Sequence, residues 1–385
     1  MTKNLIFENF SNIFKTKQKK KLSIYLKKIN NLEWPKFIKS FKINYKYSYN
    51  KNLIKKFKNI HNINIIGMGG SSIGSKAIYN FLRNKIKKNV LFYENLNLNK
   101  TNTSKSLNII ISKSGNTLET IVNSSILLNK KSENIFITEA SNNYLIKLAK
   151  KLKSDVIEHK NYIGGRFSVL SEVGMLPAEL MGLNERKFKQ YNNLIIQKKF
   201  LNNLINNTLC TYELIKKKKY NSVILNYDTK SDDFFKWYQQ LVSESLGKNS
   251  KGILPIVSTM PKDNHSILQL YLSGFKSNFY TFFIVEEKNS IKLNSKYLFD
   301  QFNFLKNKSS FKILNSQRIA TMNIFNSKKI PFRSFYLKKR NEQTLGELFC
   351  FFTLEVILLS HLLKINPLDQ PEVESVKNET FKILK

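Results

Sequence analysis

The sequence predicts an α/β fold in which parallel β-sheets are covered by helices on both faces. The first observation is a short apolar run, INIIG at residues 63–67, which is followed by a glycine- and serine-rich turn and an amphipathic segment. The second is that this unit recurs, because LNIII at residues 107–111 precedes the turn SKSGNT and the helical pattern LETIVNSSILLNK. Strands that alternate with helices in this way are typical of parallel sheets.

The other elements extend the same pattern. Residues 1–55 are polar and rich in lysine, and we expect them to form helices that pack around the body. A third strand is predicted at Asn134–Thr138, and a helical stretch then leads to a second α/β region. The predicted elements of that region are the strands Ser222–Tyr227 and Phe279–Val285 and a long helix around Phe234–Ser245. From Thr344 the chain is again predicted to be helical.

Composition limits the classes of function. Of the 385 residues, 42% are hydrophobic, which is enough to build a large core. The formal net charge is +37, and two explanations stay open: a compositional bias toward lysine and asparagine, or a positive field that steers a phosphorylated substrate inward. The lysines are spread along the chain and no nucleic-acid-binding motif is present, so no nucleic-acid partner is expected.

Cysteine content and hydropathy indicate a soluble, cytoplasmic protein. Cys210 and Cys350 are far apart and have no metal-ligand spacing, so we expect no disulfide, no metal site and a reducing compartment. The N-terminus lacks the pattern of a secretory signal. The most apolar stretch, Leu345–Leu363, contains Glu347 and Glu355, and it is predicted to be a buried helix rather than a membrane span.

The first candidate binding loop is GMGGSSIGS at residues 67–75, which follows a strand and opens a helix. A dinucleotide fingerprint would need glycine at position 72, where this chain has a serine. The pattern GxGGSS instead places hydroxyl groups and backbone N–H groups at a helix N-terminus, which suits a single phosphate. The candidate ligands are Gly70, Ser71 and Ser72, and a tight turn that merely requires glycine is the alternative interpretation.

The second loop is SKSGNTLET at residues 112–120, again between a strand and a helix. Its candidate phosphate ligands are Ser112, Lys113, Ser114 and Thr117. Because the carboxyl ends of adjacent parallel strands meet at one edge of a sheet, we expect the two loops to converge there. Together they favour a phosphate-bearing small molecule over a nucleoside triphosphate, since the chain has no GxxxxGK[ST] motif.

Four further segments carry a specific resemblance. They are residues 164–182 (GGRFSVLSEVGMLPAELMG), 237–248 (WYQQLVSESLGK), 265–274 (HSILQLYLSG) and 365–377 (INPLDQPEVESVK). With the two loops, these ordered segments resemble the motifs of the phosphoglucose isomerase family. The resemblance implies two sugar-isomerase-type domains (56–185 and 186–340), between an N-terminal helical segment (1–55) and a C-terminal helical arm (341–385).

The same resemblance implies an activity and the residues for it. The family interconverts glucose 6-phosphate and fructose 6-phosphate through a cis-enediolate, in glycolysis and gluconeogenesis, without a cofactor. Glu244 resembles its proton-transfer base, and Gln240 lies one helical turn earlier, where it could hold a sugar hydroxyl. Arg166 resembles the cation that stabilises the enediolate. From the residues alone, an exposed glutamate and a surface ion pair remain the alternatives.

Of the four histidines, His265 alone lies in a family-matching segment, and it resembles the histidine that helps to open the sugar ring. In the family this residue comes from the neighbouring subunit, which implies a homodimer with a shared site. His61 and His159 are expected in polar loops, and His361 is interpreted as a core histidine.

The last matching segment implies that Gln370 contacts the substrate and that Lys377 lies near the ring oxygen or the phosphate. Two departures from the family pattern occur here, Leu368 in place of phenylalanine and Glu372 in place of glycine. Neither removes a proposed catalytic group, although Glu372 adds a negative charge near an anion site.

Besides a nucleic-acid-binding protein, which charge alone suggests and no recognised motif supports, two alternatives to this activity remain. One is another phosphosugar isomerase, such as an enzyme that also accepts mannose 6-phosphate. The other is a non-catalytic phosphosugar-binding regulator, which would keep both hydroxyl-rich loops but would have no use for Glu244, Arg166 and His265 in their motifs.

Overall fold

The structure, a computed structural model, describes residues 4–10, 33–96, 105–129 and 131–385. It confirms the predicted α/β architecture, with two five-stranded sheets flanked by helices. Much of the predicted N-terminal helical segment, residues 11–32, lies outside the described residues. In chain order the strands are β1 (Leu5–Glu8), β2 (Asn62–Gly67), β3 (Asn89–Tyr93), β4 (Ser106–Ile111), β5 (Glu133–Thr138), β6 (Asp155–Glu158), β7 (Asn221–Asn226), β8 (Leu254–Thr259), β9 (Asn278–Val285) and β10 (Phe332–Leu337).

The first sheet has the strand order β3-β2-β4-β5-β6, and all of its strands are parallel. All residues of β4 are buried, as expected for a strand covered on both faces. In the pairing of β2 with β4, Gly67 lies opposite Ile111. Both candidate loops therefore leave the sheet side by side at its carboxyl edge.

The second sheet has the order β1-β10-β9-β7-β8. Strands β7 to β10 are parallel, and β1 pairs antiparallel with β10 so that Leu5 lies opposite Leu337. The prediction of helices throughout residues 1–55 is thus wrong for Leu5–Glu8. The apolar side chain of Leu5 is 4% exposed in the core, and the strand's backbone covers an edge of β10 that would otherwise be unpaired.

The α-helices cover the two sheets and pack between them. In chain order over the described residues they are α1 (Lys51–Phe57), α2 (Ile73–Phe81), α3 (Leu118–Leu127), α4 (Tyr144–Lys151), α5 (Glu172–Leu180), α6 (Tyr191–Ile195), α7 (Lys198–Lys216), α8 (Asp232–Leu246), α9 (Leu268–Ser273), α10 (Ser310–Ser327), α11 (Glu342–Leu363) and α12 (Pro371–Leu384). Helix α2 of the first half packs against α8 of the second. This contact brings the glycine-rich loop close to the segment that carries Glu244.

Helices α11 and α12 differ in burial although both belong to the predicted C-terminal arm. Helix α11 is long and apolar enough to cross a membrane by length and composition, but 89% of its most apolar window is buried inside the protein. The prediction of a buried helix at Leu345–Leu363 is confirmed. No residue of α12 is buried. Only α12 therefore fits the description of an arm.

A buried ion pair joins the second sheet to its covering helices. Arg333 on β10 donates hydrogen bonds to Glu355 of α11 and to Asn207 of α7, and its Nε group donates to Thr281 of β9. Arg333 and Glu355 are 1% and 4% exposed at their side chains. These contacts lock α7 and α11 onto the sheet.

Candidate active site

Glu244 lies in the last turn of α8, which ends before Gly247. Gln240, one turn earlier, donates a hydrogen bond from Nε2 to Oε1 of Glu244 over 2.9 Å, so the predicted shared helical face is confirmed. The Oε1 atom of Gln240 is buried and has no hydrogen-bond partner among the described residues. A sugar hydroxyl donating to this oxygen would satisfy it.

Arg166 is the partner of Glu244. It lies in the 3₁₀ turn Gly165–Leu170, it is 2% exposed, and its Nη1 donates to Oε2 of Glu244 over 3.0 Å. Its Nε donates to the hydroxyl of Ser245 over 2.9 Å. Burial lowers the pKa of Arg166, and the Glu244 carboxylate acts in the opposite direction. A guanidinium nevertheless stays protonated, so a fixed positive charge lies beside the carboxylate.

The remaining donors of Arg166 bind the segment that precedes α12. Nη1 also donates to Oε1 of Gln370 over 2.7 Å, and Nη2 donates to the carbonyls of Pro367 and Asp369 over 2.5 and 3.0 Å. The structure thus brings together four of the predicted site residues, Gln240, Glu244, Arg166 and Gln370.

The glycine-rich loop approaches the same place. Its 3₁₀ turn, Gly69–Ser71, leads into α2, and a Cβ at Gly69 would lie 3.0 Å from Nε2 of Gln240. A Cβ at Gly70 would lie 2.2 Å from the carbonyl carbon of Gly165, so only glycine allows this approach to the Arg166 turn. Ser71, at the end of the turn, is half-buried.

Ser72 does not present its hydroxyl to a ligand. The side chain is fully buried and donates to Oε1 of Glu94 over 2.7 Å, while Lys76 donates to the other oxygen of Glu94 over 2.6 Å. The position of this side chain does not support the prediction that Ser72 binds phosphate through its hydroxyl. Sequence reasoning missed Glu94, which follows β3, because it lies in no motif.

Two hydroxyl groups of the second loop form hydrogen bonds within the loop. Ser112 is buried and shares a 2.8 Å hydrogen bond with the hydroxyl of Thr117, and it accepts the backbone N–H of Gly115 over 3.2 Å. Ser114 is exposed. Lys113 donates to the carbonyl of Asn161 over 2.7 Å. Ser114 and Thr117 are therefore the hydroxyl residues of this loop that are at least partly open to a ligand.

Helix α12 forms a groove with this loop. The groove has a volume of about 540 Å³, and its lining includes Ser114, Thr117, Glu374 and Lys377. Lys377 is half exposed and donates to Glu374 over 2.6 Å. The lysine therefore lies on the same groove as the loop. Because Gln370 precedes the helix and binds Arg166, α12 leads from the guanidinium to this groove.

His265 lies elsewhere in the chain. It is exposed at the end of a 3₁₀ turn after β8, and Asp263 in that turn accepts the backbone N–H of Thr259 over 2.8 Å. Thr259 in turn contacts Asp232, the first residue of α8. Glu244 is at the opposite end of this helix, about 18 Å away at 1.5 Å of rise per residue. The loop that carries His265 is therefore attached at the end of α8 opposite to Glu244.

Two other histidines differ from expectation. His159 is 2% exposed rather than in an open polar loop, because it follows β6 at the edge of the core, and burial lowers its pKa to about 4. His361 is exposed rather than buried, because it lies in the last turn of α11, where the helix emerges from the core.

The comparisons with known proteins identify the family of this chain. The sequence matches the family described as phosphoglucose isomerase over residues 42–268. It is 32% identical over 359 residues to a glucose-6-phosphate isomerase from Methanocaldococcus jannaschii, covering 88% of each chain. It is 31% identical over 350 residues to a glucose-6-phosphate isomerase from Mycoplasmopsis pulmonis, covering 83% of this chain and 82% of the relative.

Solved structures share the fold. A hypothetical protein from Thermus thermophilus superposes with a TM-score of 0.82 at 20% identity, covering 99% of both chains. A glucose-6-phosphate isomerase from Chlamydia trachomatis superposes with a TM-score of 0.69 at 19% identity, covering 86% of this chain and 71% of the other. At these identities the likeness concerns the fold alone.

Proposed function

Because the chain belongs to the phosphoglucose isomerase family, we propose that it interconverts D-glucose 6-phosphate and D-fructose 6-phosphate by proton transfer. The observation that carries the proposal is the hydrogen bond between Arg166 and Glu244, which pairs a carboxylate base with a buried cation. Aldose–ketose isomerisation needs both groups, since a proton must move between adjacent carbons while negative charge develops on oxygen.

In the proposed mechanism Glu244 takes the proton from C2 of the open-chain aldose and returns it to C1 of the cis-enediolate. Arg166 stabilises the enediolate oxygen without competing for the transferred proton. Gln240 holds Glu244 through Nε2, and its unsatisfied Oε1 accepts a substrate hydroxyl. The placement of Gln240 one turn before Glu244 on α8, and the bond from Arg166 to Glu244, support these roles.

We propose that the phosphate end binds at the carboxyl edge of the first sheet. Ser71, Ser114 and Thr117 are the hydroxyl residues whose placement supports this, together with the backbone of Gly70. Lys377 faces the same groove and supplies a cation. The helix N-termini that follow both loops favour an anion there.

The ring-opening step is proposed to use His265 from a second copy of the chain. The separation between the loop after β8 and the last turn of α8 supports a site shared across a homodimer. Imidazole suits this proton transfer near neutral pH. We further propose that the enzyme acts in the cytoplasm, in glycolysis and gluconeogenesis, and that residues 56–185 and 186–340 form its two sugar-isomerase-type domains.

A coupled assay with fructose 6-phosphate tests the proposal. Glu244→Gln keeps the shape of the side chain but removes the base, and we expect kcat to fall by about 10²- to 10⁴-fold. The variant should still bind a five-carbon sugar-acid phosphate, which mimics the enediolate. The control is Glu133→Gln, at the exposed start of β5, which should match the wild type.

Two results would contradict the proposal. Equal rates for Glu244→Gln and the wild type would remove Glu244 from the mechanism. A wild-type protein that binds sugar phosphates but does not convert fructose 6-phosphate would instead be a phosphosugar-binding regulator. Turnover of mannose 6-phosphate, measured in the same assay, decides whether a second aldose is accepted.

A further inference from the structure

Every N–H group of Arg166 is engaged within the chain. A guanidinium has five such groups, one on Nε and two on each Nη nitrogen. Nε binds Ser245, Nη1 binds Glu244 and Gln370, and Nη2 binds two backbone carbonyls, those of Pro367 and Asp369. An enediolate oxygen can accept a hydrogen bond from Arg166 only if one of these acceptors leaves.

The five acceptors differ in how easily they can leave. Those on Nη2 are backbone carbonyls, and they can move only if the backbone of residues 366–370 moves. Glu244 must stay at the reacting carbons, and Ser245 is fully buried on α8. The amide of Gln370 is a partly exposed side chain with rotatable bonds, so it can leave Nη1 without a change in the backbone.

Lys248 holds the backbone that carries the two carbonyls. It follows α8, and its Nζ donates over 2.6 Å both to the carbonyl of Asn366 and to Oδ1 of Asp369. The Asn366 amide closes the arrangement by donating to Oδ2 of Asp369 over 3.0 Å. The lysine side chain is only 12% exposed, whereas Asp369 is half exposed. The hydrogen bond from Lys248 also lowers the pKa of Asp369, so this carboxyl is charged at neutral pH.

We propose that Lys248 is a positioning residue for Arg166. It holds residues 366–369 so that two carbonyls fix Nη2, and only Nη1 can exchange an acceptor, from Gln370 to the enediolate oxygen of the substrate. This inference rests on the proposed function, because it assigns the exchange to the isomerisation intermediate.

The test compares two lysines that follow α8, each of which donates hydrogen bonds to the chain at or just beyond the end of α11. Lys248→Met removes the proposed clamp. Lys251→Met is the matched control, because Lys251 donates to the carbonyl of Leu363 over 3.1 Å, outside residues 366–370. Asp369→Asn removes the charged partner with little change of shape, and Lys248→Arg restores the cation. For each variant we would measure kcat and KM for fructose 6-phosphate, the affinity for the five-carbon sugar-acid phosphate, and folding by circular dichroism.

We expect Lys248→Met to lower kcat by about 10- to 100-fold, with KM changed by less than about threefold, because the guanidinium is misplaced by a fraction of an ångström. The affinity for the enediolate mimic should fall by a similar factor. Lys248→Arg should recover part of kcat, and Lys251→Met should remain within about twofold of the wild type. The double variant Lys248→Met with Asp369→Asn should be no worse than Lys248→Met alone, because both remove one interaction.

A merely structural lysine would give a different result. If Lys248→Met matches Lys251→Met in kcat, or changes only KM or stability, the positioning role is wrong. If Lys248→Met fails to fold, Asp369→Asn carries the same comparison, and an unchanged kcat and mimic affinity in that variant overturn the inference. Failure of the proposed function is distinct, since it would appear as a wild type without turnover.

Discussion

Gly70 and Gly165 are in backbone contact, and a Cβ added at position 70 would lie 2.2 Å from the carbonyl carbon of Gly165. Ser168, three residues further along the Arg166 turn, donates to the carbonyl of Gly70 over 3.2 Å. The candidate phosphate loop and the turn that carries Arg166 are therefore joined directly. Movement of either segment would change the distance between the phosphate end and the reacting end of a bound sugar.

The contact predicts that Gly70→Ala nearly abolishes activity. The added methyl group must push two backbones apart, since no flexible side chain is available to yield. We expect a loss in kcat/KM of at least about 100-fold, because a displacement near 1 Å has that effect on positioned groups. Gly164→Ala is the control, because its nearest atom, on Phe167, would be 3.5 Å away. A Gly70→Ala protein as active as Gly164→Ala would contradict the contact.

Mixing of two inactive variants tests the shared site. His265→Ala and Glu244→Gln should each be nearly inactive when purified alone. If each site takes its histidine from the partner subunit, a mixed dimer has one intact site, and random mixing should restore about one quarter of wild-type activity. The mixture is denatured, refolded and assayed against each variant treated alone. If both residues acted from one chain, mixing would restore nothing.

The buried ion pair in the second sheet predicts a large effect on stability. Arg333→Met leaves the carboxylate of Glu355 buried without its main partner, so we expect the free energy of unfolding to fall by about 3–5 kcal/mol. The exposed pair between Lys56 and Asp155 offers a matched control, and Lys56→Met should cost less than about 1 kcal/mol. Urea denaturation measures both changes. Similar midpoints for the two variants would show that burial does not govern the cost.

His159 predicts a pH dependence of folding. Its pKa is lowered to about 4 by burial, whereas the ordinary value is 6.5. Above pH 6.5 the His159 imidazole is neutral in both the folded and the unfolded chain. Its contribution to the free energy of unfolding is then complete. Between pH 6.5 and 4 only the unfolded chain takes up a proton on His159. The free energy of unfolding therefore decreases as the pH is lowered, by a total on the order of 3 kcal/mol, and this loss stops below pH 4.

The measurement is urea denaturation at pH 7.5 and pH 4.5. Carboxyl groups also titrate in this range, so the comparison that matters is with His159→Gln, which should lose less stability on acidification. His61→Gln, at an exposed position, should behave as the wild type. An identical loss in all three proteins would rule out the contribution of His159.

Much of the fold and part of the site follow from local sequence patterns. Continuous apolar runs bounded by turns identify buried parallel strands, and they predict β2, β4, β5, β7 and β9. The proximity of Gln240 and Glu244 also follows from the sequence, since residues four apart on a helix share a face. Both are local relationships.

The contacts that local patterns could not predict join distant segments. The bond from Arg166 to Gln370 spans 204 residues, and no periodicity indicates which carbonyls would occupy its remaining donors. Ser72 resembled a ligand by its motif, yet its partner Glu94 lies 22 residues away in no motif. Ser245 and Lys248 do lie in the 237–248 segment, so the resemblance pointed to their region but not to their contacts.

The antiparallel pairing of Leu5 with Leu337 has a consequence for biosynthesis. After β1 has been synthesised, the ribosome must add more than three hundred residues before the partner strand exists. At about 5–20 residues per second, that delay is roughly 17–66 s. Throughout this interval β1 has no partner strand with which to pair. The outer edge of the second sheet can therefore be completed only late in translation.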